Sequence, residues 1–135
     1  MALVTSKELL LDAQKNGYAV GAFNVENMEM VMAVLAAAEK TKSPVIMQTT
    51  PGTVKYAGLD YYLANVKAAA DRASVPVVMH LDHGDSFEMA MKAYHTGYTS
   101  IMIDGSKLPF QDIIALTHFR DEATRAANIL NGDKK

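Results

Sequence analysis

The sequence predicts an α/β fold in which four consecutive strand–helix units build a parallel sheet. Short β-rich runs alternate with longer stretches whose apolar residues recur at helical spacing. The centres of the four β-rich runs are 26, 32 and 24 residues apart, close to the length of one βα unit; they are Ala19, Val45, Val77 and Ile101. Because right-handed crossovers join such strands, we expect the strands to be parallel and mostly adjacent, with the helices outside.

The first half of the chain is predicted to hold two helices and two strands. In chain order they are a helix over residues 7–15, a strand over 18–23, a helix over 26–41 and a strand over 44–49. Ser6 and Asn24 are the expected N-caps of the two helices, and Asn16-Gly17 is typical of a helix end. Ser43-Pro44 is expected to end the second helix, and Pro51-Gly52 to break the chain after the second strand.

The second half repeats the alternation. The predicted elements are a helix over about residues 59–72, a strand over 75–81, a helix over 87–95, a strand over 99–103 and a final helical region over 109–130. Asp85-Ser86 is the expected start of the fourth helix and Gly97 its end. Pro109 suits the first turn of the last helical region, and Asn131-Gly132 is its expected stop.

Length and composition bound the class of protein. The 135 residues, 14.7 kDa, fit one compact domain, and a (β/α)8 barrel usually needs about 250 residues, so four units make about half of one. Half of the residues are hydrophobic and the net charge is -2, which argues against a disordered chain and against nucleic acid as the main partner. Because there is no cysteine, disulfides, thiolate metal sites and a cysteine nucleophile are excluded, and any metal must sit on His, Asp or Glu.

The sequence contains no sign of secretion or of membrane insertion. The first residues lack a basic segment followed by a long apolar one. The longest purely apolar run, residues 31–38, is far shorter than the roughly 20 residues needed to cross a bilayer. We therefore expect a cytoplasmic protein with no membrane partner.

Polar residues lie at the carboxyl ends of all four predicted strands. In parallel α/β folds the functional loops lie beyond the carboxyl ends of the strands, so these residues are the candidates for a site. They are Phe23-Asn24, Gln48-Thr49-Thr50-Pro51-Gly52, His80-Leu81-Asp82-His83-Gly84 and Asp104-Gly105-Ser106. We expect two aspartates and two histidines of this set to converge at one mouth.

The segment His80-Leu81-Asp82-His83 is the most specific local signal, and two interpretations of it remain open. Asp82 and His83 offer an acid or base beside an imidazole ligand, as in a metal-assisted carbonyl reaction. Alternatively, Asp82 caps the following helix and the histidines are solvated, which spacing alone favours because one such segment cannot complete a metal site. Asp104 is either a carboxylate facing the mouth or a turn-forming residue.

The remaining candidates carry weaker signals. Thr50 could bind a phosphate through its hydroxyl, but a Thr-Thr-Pro-Gly segment is more often only a turn. His95 and His118 are expected on helices, away from the strand ends. No glycine-rich nucleotide-binding loop occurs. The methionines are interpreted as packing residues, with Met32, Met47, Met79 and Met102 at core-like positions.

Taken together, these segments resemble the N-terminal half of class II, metal-dependent ketose-bisphosphate aldolases, in the branch that acts on fructose and tagatose bisphosphates. The resemblance rests on Leu9-Leu10-Leu11-Asp12-Ala13, residues 17–24, Ser43-Pro44-Val45-Ile46, His80-Leu81-Asp82-His83-Gly84, residues 100–106 and Leu108-Pro109-Phe110. It covers residues 1–117 as the first half of a barrel, and residues 118–135 are expected to be a helical tail that departs from the family.

The resemblance implies the first four of the eight (βα) units of a TIM barrel. It implies reversible cleavage of a ketose 1,6-bisphosphate to dihydroxyacetone phosphate and glyceraldehyde 3-phosphate, with zinc polarising the ketone. By motif position, Asp82 is the proton donor and His83 a zinc ligand, while Asp104 is the carboxylate near the metal. Asn24 and Thr50 are the corresponding polar groups of the substrate pocket.

In this family two further zinc-binding histidines come from the second half of the barrel, so the resemblance implies an incomplete metal site in these 135 residues. The alternative is a non-catalytic half-barrel that acts as an interaction module, as a homo-oligomer or with a complementary subunit. Strands one and four would then have free edges, and an apolar inner face would be uncovered at Val20, Ile46, Val78 and Met102. A third interpretation is a flavodoxin-like sheet in which Asp82 and Asp104 bind magnesium rather than zinc.

Overall fold

A computed structural model describes residues 3–115 and residue 118. In this part of the chain the elements are α1 (Ser6–Asn16), β1 (Gly21–Asn24), α2 (Met28–Thr41), β2 (Val45–Thr49), α3 (Pro51–Ala57), α4 (Leu59–Ala70), β3 (Val77–Gly84), α5 (Phe87–Thr96) and β4 (Ser100–Ile103). Residues 110–115 are also helical. The predicted helical region over 109–130 and the predicted tail over 118–135 lie largely outside the described residues. No described helix is long and apolar enough to span a membrane.

The four strands form one parallel sheet in the order β1-β2-β3-β4. The register aligns Asn24 with Gln48, Gln48 with His80, and His80 with Ser100. This sequential order confirms the predicted parallel βα units of a partial barrel. It contradicts the flavodoxin-like interpretation, because doubly wound sheets place their strands out of chain order.

Two predicted helix starts are wrong. Thr5, not Ser6, is the N-cap of α1, because the Ser6 hydroxyl instead forms a 3.0 Å hydrogen bond with the hydroxyl of Ser100. Asn24 belongs to β1, and the cap of α2 is Asn27, whose Oδ1 accepts a hydrogen bond from the Met30 N–H at 2.8 Å. Both errors have the same cause, since several nearby side chains can cap a helix and tertiary contacts select one of them.

The sequence prediction also missed α3. The Pro51-Gly52 pair, predicted to break the chain, lies inside its first turn, where proline is well tolerated because it has no N–H to leave unpaired. The Thr50 side chain accepts a hydrogen bond from the Thr53 N–H and caps this helix. Other boundary signals are confirmed: Gly17 ends α1 in a left-handed conformation, and Ser86 caps α5 through the Met89 N–H.

The core lies between the outward face of the sheet and the helices that cover it. Met47, Met79 and Leu81 are fully buried there and pack with Tyr62 and Val66 of α4. The packing role predicted for Met47 and Met79 is therefore confirmed. It is wrong for two other methionines, Met32 and Met102, which are 60% and 37% exposed.

The inward face of the sheet is not as open as expected. Val78, predicted to be uncovered, is fully buried. The start of the chain lies against this region, since the Val4 N–H donates to the Val77 carbonyl at 3.0 Å and Ser6 contacts Ser100. Ile46 remains partly exposed. Val20, also predicted on this face, precedes β1.

Candidate functional site

A row of hydrogen-bonded polar side chains crosses three strands at the carboxyl edge of the sheet. The Gln48 amide nitrogen donates to Asn24 Oδ1 at 2.7 Å and to Asp82 Oδ2 at 2.8 Å. The parallel register explains the contacts, because Asn24, Gln48 and the even-numbered residues of β3 point to the same face. Asp82 therefore has a fixed orientation, held from the neighbouring strand.

Gln48 is the residue that sequence reasoning missed, since it was considered only as part of a polar strand end. Its position in the series of βα units could have identified it. It ends a strand at the same point as Asn24 one unit earlier, so a parallel register brings the two side chains together.

A bulge at the end of β3 positions His83. The β3–β4 register shifts between Leu81 and Gly84, and His83 has a left-handed φ of 53°. Its Nδ1–H donates to Asp104 Oδ2 at 2.9 Å, while its Nε2 lies 3.8 Å from Asp82 Oδ1. A Cβ on Gly84 would lie 2.8 Å from the Met102 carbonyl oxygen, so only glycine permits the close approach of β4 at this point.

His83 and Asp104 shift each other's pKa, the histidine upwards and the aspartate downwards. The hydrogen bond to Asp104 raises the pKa of His83, and the negative charge of Asp82 adds to the shift. Hydrogen bonds from Ser106 and His83 hold the pKa of Asp104 well below its usual range. Asp104 uses both carboxylate oxygens, since Oδ1 accepts from the Ser106 N–H in the turn and Oδ2 faces His83. The two interpretations of Asp104 left open by the sequence therefore describe two oxygens of one side chain.

His80 does not join this cluster. Its Nδ1 is hydrogen-bonded to the Ser100 hydroxyl at 2.8 Å on the inward face, and burial lowers its pKa. Ser100 also contacts Ser6, so His80 belongs to a chain of contacts that secures the start of α1. His95 is exposed in the last turn of α5, away from the strand ends, and His118 is exposed.

Thr50 follows β2 at the same edge of the sheet, but its hydroxyl is engaged in the cap of α3. It accepts from the Thr53 N–H and lies 3.2 Å from the Thr53 hydroxyl. Thr53 in turn donates to Glu26 Oε1 at 3.1 Å. The described hydrogen bonds therefore do not link Thr50 to Asn24 or Asp82.

The cluster by itself supplies fewer ligands than a metal ion needs. Within residues 3–115 and 118, no three histidine, aspartate or glutamate side chains are grouped so that they could hold an ion. A zinc ion usually takes at least three protein ligands. The His83–Asp104 pair fits one histidine ligand of such a site, because a carboxylate on one ring nitrogen orients the other nitrogen towards a metal.

Comparison with known proteins was made by sequence and by structure. The family described as fructose-bisphosphate aldolase class-II matches residues 4–130, which crosses the boundary expected at residue 117, so where the tail departs from the family stays a prediction. The probable fructose-bisphosphate aldolase of Bacillus subtilis (strain 168) is 48% identical over 120 residues, covering 87% of this chain and 42% of the relative. The fructose-bisphosphate aldolase of Thermus caldophilus is 46% identical over 127 residues, covering 94% and 41%.

Solved structures of aldolases also match this chain. The YdjI aldolase from Escherichia coli K12 superposes with a TM-score of 0.87 at 35% identity, covering 93% of this chain and 49% of that one. A putative fructose-1,6-biphosphate aldolase from Coccidioides immitis has a TM-score of 0.78 at 30% identity, covering 84% and 44%. The chain thus spans less than half the length of these relatives. The family match and the superpositions agree, and the chain belongs to the class II fructose-bisphosphate aldolase family.

Proposed function

We propose that the chain provides the proton-transfer and metal-binding half of a zinc-dependent, cytoplasmic lyase of sugar metabolism, including glycolysis. The reaction is the reversible cleavage of a ketose 1,6-bisphosphate, fructose or tagatose, to dihydroxyacetone phosphate and glyceraldehyde 3-phosphate. The observation that carries the proposal is the pairing of an oriented Asp82 with the adjacent His83–Asp104 pair. The names of the relatives support the fructose substrate.

Asp82 is the proposed proton-transfer residue. In cleavage its carboxylate takes the proton of the C4 hydroxyl while the C3–C4 bond breaks and C4 becomes the aldehyde; a proton then reaches C3 to give dihydroxyacetone phosphate. In the reverse reaction Asp82 returns a proton to the aldehyde oxygen. Gln48 binds Oδ2 of Asp82, which limits rotation of the carboxylate and leaves Oδ1 on the side of His83.

His83 and Asp104 are the proposed residues of the metal site. Zinc, when bound, supplies a positive charge that polarises the substrate carbonyl. His83 offers Nε2, while Asp104 holds Nδ1 and sets the plane of the ring. Asn24 and Thr50 are proposed to contribute polar groups to the substrate pocket; Asn24 contacts Asp82 through the shared Gln48 amide.

The test measures zinc content and aldol cleavage of the purified chain with fructose and tagatose bisphosphates. The assay is run with and without the C-terminal half of a full-length family member added in trans. When the C-terminal half is added, we expect activity that a chelator abolishes, that Asp82→Ala removes without loss of zinc, and that His83→Ala removes together with zinc. His95→Ala, at an exposed histidine, is the matched control. Cleavage that survives either the chelator or Asp82→Ala would contradict the proposal.

A second candidate is a non-catalytic half-barrel that associates with another copy or with a complementary subunit. Two observations favour it. Among the described residues β1 and β4 each pair with one strand only, and all four residues of β1 are exposed. Large apolar side chains are also exposed near these edges, including Phe23 at 50% and Phe110 at 71%. A chain that stays monomeric in light scattering at micromolar concentration would contradict this candidate.

A further inference from the structure

The Asp104 carboxylate accepts hydrogen bonds on both of its oxygens, and the two oxygens have different partners. Its Oδ2 faces the Nδ1–H of His83 at 2.9 Å, and its Oδ1 accepts the backbone N–H of Ser106 at 2.9 Å. The Ser106 hydroxyl donates to the same carboxylate, and this contact is the largest single cause of the low pKa of Asp104. Because the terminal torsion of an aspartate side chain has a broad range, these donors decide which oxygen faces the histidine.

The backbone that carries Ser106 is held on both sides. The Asp104 N–H donates to the Gly84 carbonyl at 2.9 Å, which joins the end of β4 to the bulge at the end of β3. In the turn, the Ile113 side chain covers Gly105, where an added Cβ would lie 3.1 Å from the Ile113 Cγ1. The Ser106 hydroxyl therefore acts on Asp104 from a fixed turn.

The imidazole of His83 depends on this carboxylate for its orientation. The His83 side chain is 57% exposed, so packing does not fix the ring. The other nearby carboxylate oxygen, Asp82 Oδ1, lies 3.8 Å from Nε2, which is beyond hydrogen-bonding distance. Within the described residues, the contact with Asp104 is thus the hydrogen bond that selects the plane of the ring and places a proton on Nδ1.

We propose that Ser106 is a positioning residue for His83 and that it acts through Asp104. The hydroxyl and the N–H of Ser106 hold the Oδ1 side of the carboxylate, which keeps Oδ2 directed at Nδ1 and leaves Nε2 on the other side of the ring. A carboxylate on one ring nitrogen is the arrangement that directs the other nitrogen to a metal. The inference rests on the proposed function, in which His83 is a zinc ligand, and adds a residue that orients this ligand.

Ser106→Ala tests the proposal in metal-free protein, because it removes the hydroxyl and keeps the backbone N–H. NMR of the histidine side-chain nitrogens, at a pH where His83 is neutral, gives the ratio of its Nδ1–H and Nε2–H tautomers. We expect this ratio to fall about threefold in Ser106→Ala, since one hydrogen bond is lost, and to stay unchanged in Ser106→Thr, which keeps the hydroxyl. Ser43→Ala is the matched control, because it removes an exposed hydroxyl that donates to the Thr41 carbonyl before β2.

A double-mutant cycle shows whether Ser106 acts through Asp104. Adding Ser106→Ala to Asp104→Ala should change the tautomer ratio no further, because the carboxylate that the hydroxyl positions is already gone. Urea unfolding of each variant verifies that a changed ratio does not come from loss of the fold. A role confined to the turn would lower the free energy of unfolding and leave the tautomer ratio unchanged, which would overturn the proposal.

Zinc affinity gives a second measurement, made on the chain assembled with the C-terminal half of a family member. Competition with a chelating dye should show binding weakened about threefold to tenfold in Ser106→Ala, less than the roughly 10–100-fold loss typical when a direct partner of a ligating histidine is removed. Unchanged zinc affinity in Ser106→Ala, or an effect of this variant that persists without the Asp104 carboxylate, overturns the inference and leaves the proposed function standing. A shifted tautomer ratio in a chain that neither binds zinc nor cleaves a sugar bisphosphate supports the positioning contact and overturns the proposed function.

Discussion

The Nδ1 atom of His83 lies 2.9 Å from Oδ2 of Asp104, although the two residues are 21 positions apart. His83 lies near the end of β3 and Asp104 directly follows β4, and the bulge at the end of β3 turns the imidazole towards the carboxylate. This contact is the main cause of the raised pKa of His83. Metal binding at His83 must therefore compete with a proton that Asp104 helps to retain.

Asp104→Asn should lower the pKa of His83 towards the ordinary histidine value of about 6.5, because the amide keeps the shape of the carboxylate but not its charge. NMR titration of the histidine side chains in metal-free protein measures the shift. Asp82→Asn is the control and should lower the pKa less, since Asp82 acts on His83 through charge alone. An unchanged titration midpoint in Asp104→Asn would show that the pair is not formed.

Gln48→Glu should give the free energy of unfolding a pH dependence that the wild-type chain does not have. The substitution places a second carboxylate 2.8 Å from Asp82 Oδ2, and two carboxylates so close retain a proton to a higher pH than either would alone. The folded variant then binds more protons than the unfolded one, so its stability relative to wild type should fall as the pH rises from about 4 to 7.

Urea unfolding at several pH values measures this dependence. Gln14→Glu adds the same charge at an exposed position of α1 and should show little of it. Equal pH dependence in the two variants would argue against the Gln48–Asp82 contact.

The Tyr98 hydroxyl should titrate at a much higher pH than the hydroxyl of an ordinary tyrosine. Burial raises its pKa to about 12, and its hydroxyl forms a 2.9 Å hydrogen bond with the fully buried Thr49. Because the pKa is raised in the folded state, the stabilisation is complete below pH 10 and is lost as the pH rises from 10 to about 12. Absorbance at 295 nm follows this step, which Tyr98→Phe should remove.

Tyr98→Phe should also lower the free energy of unfolding by about 1–2 kcal/mol at neutral pH, since it leaves the Thr49 hydroxyl buried without its partner. Thermal or urea unfolding measures the loss. Tyr61→Phe, at an exposed tyrosine, should change stability by less than about 0.5 kcal/mol. A similar loss in both variants would contradict the assigned hydrogen bond.

Met47→Ala and Met32→Ala should lower the free energy of unfolding by very different amounts. Met47 is fully buried against α4, so its truncation leaves a cavity and should cost about 2–5 kcal/mol. Met32 is 60% exposed, so its truncation should lower the free energy of unfolding by less than about 0.5 kcal/mol. Chemical unfolding of the two variants under one buffer condition compares them directly, and equal losses would place Met32 in an interface rather than on a free surface.

Much of the fold could be predicted from the sequence because its signals are local. The alternation of apolar runs and helical stretches predicted the strands and their order. The polar strand ends predicted that Asp82, His83 and Asp104 come together, but His80 contacts Ser100 instead. The helix caps were less predictable. Ser6 has a suitable side chain for capping, but Ser100, 94 positions later, takes its hydroxyl.

The sequence by itself determined that Asp82, His83 and Asp104 lie at the carboxyl ends of neighbouring strands, since residue order along parallel βα units decides this. Only the tertiary structure decided what they contact. A shift of one residue in the register would turn Gln48 to the opposite face and leave Asp82 without its amide partner. Without the bulge at the end of β3, the ring of His83 would not turn towards Asp104. Strand pairing acts between distant segments, and its register is settled by packing of the whole sheet rather than by any one segment.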